Sequence, residues 1–125
     1  MRTLEMFLPV MPSSTNRIYA GIHWAKRRKE AAGIHSIVRE IVLEGGFEPF
    51  SRPVHITTTP RVGKGCRRRD VSNYSYAHKM IEDALCNAGL IVDDTVEWVR
   101  GMTILAPVVD RSAPTGIVVR IVELS

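Results

Sequence analysis

The sequence predicts an α/β (α+β) fold: one small domain built on a mixed sheet of about four strands with two covering helices. Three observations carry this expectation. Short segments rich in β-branched and apolar residues recur along the chain, two longer segments carry apolar residues at helical spacing, and the two kinds alternate in the order β-α-β-α-β-β. All of this fits into 125 residues, enough for one core and too few for two, so a single domain over residues 1–125 is expected.

The first strand spans Thr3 to Leu8, an apolar run that Pro9 and Pro12 stop before the polar stretch Ser13-Ser14-Thr15-Asn16-Arg17, expected as a loop. From about Trp24 a helix follows, with Ile34, Ile37, Val38, Ile41 and Val42 forming one stripe at i, i+3, i+4, i+7 and i+8. Gly45-Gly46-Phe47-Glu48-Pro49 ends it, because glycine permits left-handed backbone and proline cannot extend the ladder. Pro53 to Thr59 has β-branched residues at nearly every second position and reads as a strand. A basic, glycine-punctuated loop, Arg61 to Arg69, leads to a second helix from about Tyr74 to Ala88, whose Ala77, Ile81, Ala84, Leu85 and Ala88 share a face and whose end is marked by Gly89. Two more strands, Val96 to Leu105 and Gly116 to Leu124, close the domain around the loop from Asp110 to Thr115.

Charge and hydropathy narrow the class of function. Seventeen Lys and Arg against thirteen Asp and Glu give a net charge of +4, and the pI is near 9.4, which favours a polyanionic partner. A mean hydropathy of -0.01 and the lack of a long apolar run argue against a membrane span. Cys66 and Cys86 have neither the number nor the spacing of a disulfide framework or zinc site and read as reduced thiols of a cytoplasmic protein. The N-terminal stretch, interrupted by Glu5, reads as a strand rather than a signal peptide.

The residues that carry chemistry converge on the second half. In Arg67-Arg68-Arg69-Asp70-Val71-Ser72-Asn73 a cationic block suited to phosphates stands directly before a carboxylate. Mg²⁺ is usually bound by one or two protein carboxylates together with water and phosphate oxygens, and Asp93-Asp94 supplies carboxylates from a second segment. A helix of about fifteen residues rises roughly 22 Å, so Asp70 and Asp94 can meet only if the chain turns back beside the helix, a return that Leu90-Ile91-Val92 can make. Lys79 and Asp83 are four residues apart on that helix, placing a cation where it can neutralise developing phosphate charge or form a surface ion pair.

These motifs resemble the RusA-like Holliday junction resolvases, small endonucleases of bacteria and prophages. The resemblance covers most of the chain: Pro12-Ser13-Ser14-Thr15-Asn16-Arg17-Ile18-Tyr19, then Arg67 to Asn73, Lys79, Asp83-Ala84-Leu85, Ala88-Gly89 and Asp93-Asp94. It implies a RusA-like fold and a homodimer that binds branched DNA and nicks opposing strands of four-way junctions with Mg²⁺ or Mn²⁺, in recombination and repair. Carried over, it implies metal-binding carboxylates at Asp70 and Asp94 with Asp93 beside them, and Lys79 as the catalytic lysine. Two departures stand out. The family's Asp-x-Asp-Asn motif reads Asp70-Val71-Ser72-Asn73, and the gap from Asn73 to Lys79 is longer than in the best-known members. With Ser72 in place of a carboxylate, the alternative is a catalytically weakened protein that binds branched DNA through a degenerate metal site.

The remaining expectations concern binding. Asn16, Arg17, Lys26, Arg27, Lys64, Arg67, Arg68, Arg69 and Asn73 are the candidate DNA contacts, the basic ones forming a groove that tracks phosphates. Asp70, Ser72 and Asn73 are also suitable helix caps, and Asp93-Asp94 a solvated turn. Trp24 and Trp98 read as core or dimer-interface anchors, and His78 as a surface residue.

Overall fold

The computed structural model describes residues 1–125. Its elements are β1 (Thr3–Leu8), α1 (Thr15–Tyr19), α2 (Trp24–Gly45), β2 (Val54–Val62), a single 3₁₀ turn (Val71–Tyr74), α3 (Ser75–Asn87), β3 (Val99–Ile104), β4 (Val108–Val109) and β5 (Gly116–Glu123). They form one mixed α/β domain, as the hydrophobic patterning predicts. The sheet runs β1-β5-β2-β3, with β4 also paired to β2. Its β1–β5 and β2–β5 pairs are antiparallel, while β2 pairs with β3 and β4 in parallel.

Alternation along the strands puts one face of the sheet under the helices. Val54, Ile56, Thr58, Pro60 and Val62 of β2 are buried, and the residues between them are half-buried. From β1 and β5, Met6, Leu8, Ile117, Val119 and Ile121 join this face. The helices cover it with Ile34 and Val38 of α2 and Ala77, Ile81, Ala84 and Leu85 of α3. On α2 the first buried residue is Ile34, so the ten residues Trp24 to Gly33 extend past the core with their basic side chains in solvent. No helix is long and apolar enough to cross a membrane.

The structure departs from the sequence expectation at identifiable points. The sheet has five strands rather than about four, and Pro60 explains the extra one. The Thr58 and Val62 carbonyls accept hydrogen bonds from the Leu105 and Asp110 N–H groups, so Pro60, of the same parity, faces that side of β2 with no N–H to offer. The parallel ladder therefore stops near Leu105 and resumes as the two-residue β4. The stretch expected as a loop at Ser13 to Arg17 contains α1, because the Ser14 hydroxyl caps it by accepting from the Arg17 N–H at 3.1 Å. β3 begins at Val99 rather than Val96, since the Thr95 carbonyl accepts from both Trp98 and Val99 N–H and closes a turn there. Trp24 is 56% exposed, so it is not a core anchor, and Trp98 is half-buried. His78 is buried, not on the surface, because helical phase points it at Thr58 of the sheet.

Two glycines make opposite predictions about stability. A Cβ on Gly116 would lie 2.2 Å from the Leu8 carbonyl oxygen and against the Phe7 ring, inside the β1–β5 pair. Gly33, in the middle of α2, has nothing within 4 Å of that position. Gly116→Ala is expected to destabilise by about 1–3 kcal/mol or more, whereas Gly33→Ala should stabilise by roughly 0.5–1 kcal/mol. Urea denaturation midpoints at constant m-value read both signs.

Candidate nucleic-acid interface

The basic loop after β2 is shaped from both of its ends. Gly63 donates its N–H to Thr115 Oγ1 at 2.9 Å, and a Cβ there would meet the Ala113 carbonyl at 2.3 Å, so only glycine fits. Arg111 donates from one Nη to the Gly63 carbonyl and, at 2.7 Å, to the Cys66 carbonyl. Held this way, the loop leaves Lys64, Arg67 and Arg68 exposed. An open cleft of about 530 Å³ is lined by Arg67, Arg68, Val109 and Arg111. Arg68 also lines a second cleft of about 300 Å³ with Arg69, Asp70, Val71, Ala106 and Pro107. Both clefts lie beyond the carboxyl ends of the parallel strands β2 and β3, where α/β sheets commonly place their ligands. The sequence reading missed Arg111. It is distant from the arginine run in the chain, and only the β2–β4 pairing brings it there.

The two motifs set apart by sequence are clasped together. Arg69 Nη1 donates to the Pro12 carbonyl at 2.8 Å, and its guanidinium lies 5.3 Å from the Tyr74 ring centre. The Asn16 N–H donates to Asn73 Oδ1 at 2.8 Å, and Thr15 Oγ1 accepts from the Tyr76 N–H at 3.0 Å while sharing a 2.9 Å hydrogen bond with Ser75 Oγ. Arg69 and Asn73 are thus committed to holding the N-terminal loop. Asn16 and Arg17 keep exposed side chains on α1, next to Asn73.

None of the residues suited to capping the second helix caps it, and Asn73 instead accepts from a first-turn N–H of α1. The exposed Asp70 precedes the 3₁₀ turn and its side chain makes no capping hydrogen bond, while Tyr74, at the cap position of α3, makes none either. The Asp70 carboxylate is therefore free at the edge of the arginine cleft. Ser72, also exposed, uses its carbonyl to accept from Ser75 Oγ.

Asp94 reaches back along α3. Its Oδ2 accepts from Lys79 Nζ at 2.8 Å, and Lys79 also lies 3.1 Å from Asp83 Oδ1 and 3.9 Å from Glu82 Oε1. The buried Leu90 and Ile91 make the return, and the Phe50 N–H donates to the Leu90 carbonyl at 2.8 Å. Hydrogen bonding to Asp94 raises the Lys79 pKa, and the same bond lowers that of Asp94, so both are charged at neutral pH. The Asp93 carboxylate accepts from the Asp94 N–H at 2.8 Å and so fixes the turn. Asp70 shares no hydrogen bond or ion pair with this group, and no three His, Cys, Asp or Glu side chains converge at metal-binding spacing.

Behind Lys79, a buried polar chain leads into the core. His78 Nδ1 shares a 2.8 Å hydrogen bond with Thr58 Oγ1, and His78 Nε2 lies 3.7 Å from Glu82 Oε2. Burial first, then His55 and Lys79, lower the His78 pKa to about 4. Burial raises that of Glu82.

Lys26 and Arg27 project from the exposed start of α2. Arg27 lines a separate groove with Trp24, Arg28, Ala31, Tyr76 and Met80, which has no residue in common with the two arginine clefts. The expected single groove is therefore two cationic surfaces. No protein-family model matches the chain, and no curated protein matches it significantly.

The buried imidazole makes stability depend on pH with a definite sign. His78 is neutral in the fold down to about pH 4, while the unfolded chain protonates it near its ordinary value of 6.5. The unfolded state therefore binds more protons across that window, and the stability His78 contributes at neutral pH is lost as pH falls from about 6.5 to about 4, by up to about 3 kcal/mol. The His78 ring protons should titrate near pH 4 by NMR. A midpoint above 6 would show that the charged ring is stabilised in the fold, by water or by the Glu82 carboxylate, and remove the effect.

Proposed function

We propose that the chain is a metal-dependent, structure-selective DNA endonuclease of the RusA-like kind, acting as a cytoplasmic homodimer on Holliday junctions and other branched DNA in recombination and repair. The observation that carries this reading is the free Asp70 carboxylate at the edge of a cleft shared with Arg68 and Arg69, beyond the carboxyl ends of two parallel strands. The exposed Arg67 and Arg68 offer bidentate donors to phosphates, with Arg111 and the backbone beneath them fixing the loop. Exposed apolar side chains on and just after β3 and on β4, Met102, Leu105 and Val108, are suited to a subunit contact. A symmetric junction calls for two copies of a site that one small domain carries once.

In their chemistry, though they do not converge in this structure, the carboxylates suit Mg²⁺ or Mn²⁺. Asp70 and Asp94, with Asp93 adjacent, offer hard carboxylate oxygens, and such ions complete their coordination with water and phosphate oxygens. When bound, the ion supplies Lewis-acid stabilisation and an activated water. Lys79 brings a permanent positive charge for the scissile phosphate or the leaving oxygen, and Asp83 and Asp94 hold that charge in place.

Two observations favour the second reading, a branched-DNA-binding protein with a degenerate metal site. Lys79 already neutralises Asp94, and Ser72 offers no carboxylate to converge with Asp70. The two readings separate in one assay: cleavage of a labelled four-way junction and matched linear duplex with Mg²⁺, Mn²⁺ or chelator. The nuclease reading expects paired, metal-dependent nicks that Asp70→Asn abolishes without weakening DNA binding. Salt-sensitive binding without cutting supports the degenerate site, and Ser72→Asp should then create or strongly raise cleavage.

Binding itself has a quantitative signature. Arg67→Ala and Arg68→Ala should each weaken junction binding for all sequences and reduce the slope of log affinity against log salt by about 1. An unchanged slope in both variants would place the phosphate contacts elsewhere.

A further inference from the structure

We propose that the groove between the start of α2 and α3 holds an unstacked nucleobase of a DNA strand, with Trp24 as its stacking platform and Arg27 and Arg28 on the flanking phosphates. This rests on the reading above that the chain acts on DNA.

Trp24 is a large aromatic side chain that folding leaves in solvent. It is 56% exposed on a segment of α2 that contributes nothing to the core. The site around it is formed by several groups. His23 stacks on the indole at 5.5 Å between ring centres, and the Arg28 guanidinium sits 5.3 Å from the ring centre. The opposite wall comes from Tyr76 and Met80 of α3, which flank Lys79 in sequence. The Tyr76 hydroxyl is enclosed beneath this wall beside the Glu30 carboxylate, so the groove offers a ligand aromatic and apolar surface rather than that hydroxyl. The groove encloses about 270 Å³, which is below the ~300–1,000 Å³ of sites for drug-sized molecules and suits a single ring system.

Charge selects the occupant. Lys26, Arg27, Arg28 and Lys29 are consecutive and exposed, so an apolar, aromatic-lined groove lies within a dense cationic field. An apolar helix would bring no compensating negative charge, and a second copy of this chain carries a net charge of the same sign. A nucleotide brings an aromatic face and a phosphate together, the combination by which proteins hold unpaired strands. Branched DNA exposes unstacked bases at its branch point, and the shared helix α3 places such a base on the same element as Lys79.

The test uses the Trp98→Phe protein, in which Trp24 is the sole tryptophan. It is titrated with a short oligothymidylate and with a strand of equal length carrying abasic sites, reading Trp24 fluorescence and DNA anisotropy together. The expected result is quenching by the oligothymidylate only, with affinity about fivefold to a hundredfold above that for the abasic strand. Trp24→Ala should remove that preference while leaving the salt-dependent affinity for the abasic strand. Equal affinity for both strands without quenching overturns the proposal but leaves the DNA reading standing. Failure to bind any DNA, the four-way junction included, overturns both. A Trp24 emission shift that follows protein concentration and not DNA identifies a second copy as the occupant and likewise overturns it.

Discussion

The parallel pairing of β2 with β3 is the constraint on which the rest of the site depends. Parallel neighbours cannot be joined by a tight turn, so the chain between Val62 and Val99 has to cross over the sheet, and α3 makes that crossing. The basic loop and Asp70 are thereby left at the carboxyl end of the pair. Asp94 would lie at the opposite end, a full helix length away, if the return segment ran straight into β3. It does not. Leu90 and Ile91 bury themselves against the core, and the chain turns back far enough for Asp94 to meet Lys79, about 6 Å of helix rise from the start of α3. Burial of two aliphatic side chains thus positions a carboxylate.

The clasp between residues 12–16 and 69–76 supplies the second fixed point. Arg69, Asn73 and Ser75 spend their polar atoms on the N-terminal loop, and Glu30 draws the same loop toward α2 by accepting from Ser13 N–H at 3.0 Å and Ser13 Oγ at 2.8 Å. The segment that presents Asp70 is therefore braced from two sides, while Asp70 itself is left free. A side chain intended only to cap a helix would be engaged in the opposite pattern. This division between bracing and free groups within one short motif distinguishes Arg69 and Asn73 from Arg67, Arg68 and Asp70, all of which look alike in sequence.

Sequence made the elements legible wherever hydrophobic period and local turn chemistry agree. β1, the stripe of α2, its left-handed Gly46 terminus and the face of α3 all follow from patterns within one segment. Lys79 with Asp83 was readable for the same reason, being an i, i+4 relation, and the return that brings Asp94 near them was visible as an apolar run after Gly89. What escaped is what depends on distant partners. The five-residue α1 is too short to show a period, and β4 exists because Pro60 interrupts a ladder formed with another strand. Arg111 enters the cleft only through strand pairing. His78 sits at a position whose burial is decided by Thr58, and Trp24 lies beyond the reach of the sheet that would have buried it.

The distribution of charge is more informative than its total. A net charge of +4 is modest, yet the cations concentrate on the start of α2 and on the loop after β2, while Glu82, Asp83, Asp93 and Asp94 gather around a single ammonium. With Asp94 held ionised by Lys79, the lysine offsets only part of its acidic surroundings. The arginine clefts attract a phosphodiester, but the Lys79 group by itself repels one, because each additional anion near the carboxylates raises the electrostatic cost. On the nuclease reading this conflict has one resolution: the phosphate approaches Lys79 only when a further cation shares the carboxylates with it. On that reading the arginine clefts make DNA binding independent of metal while the carboxylates around Lys79 make close approach to it dependent on metal, so that without the ion the charge pattern favours binding over cutting.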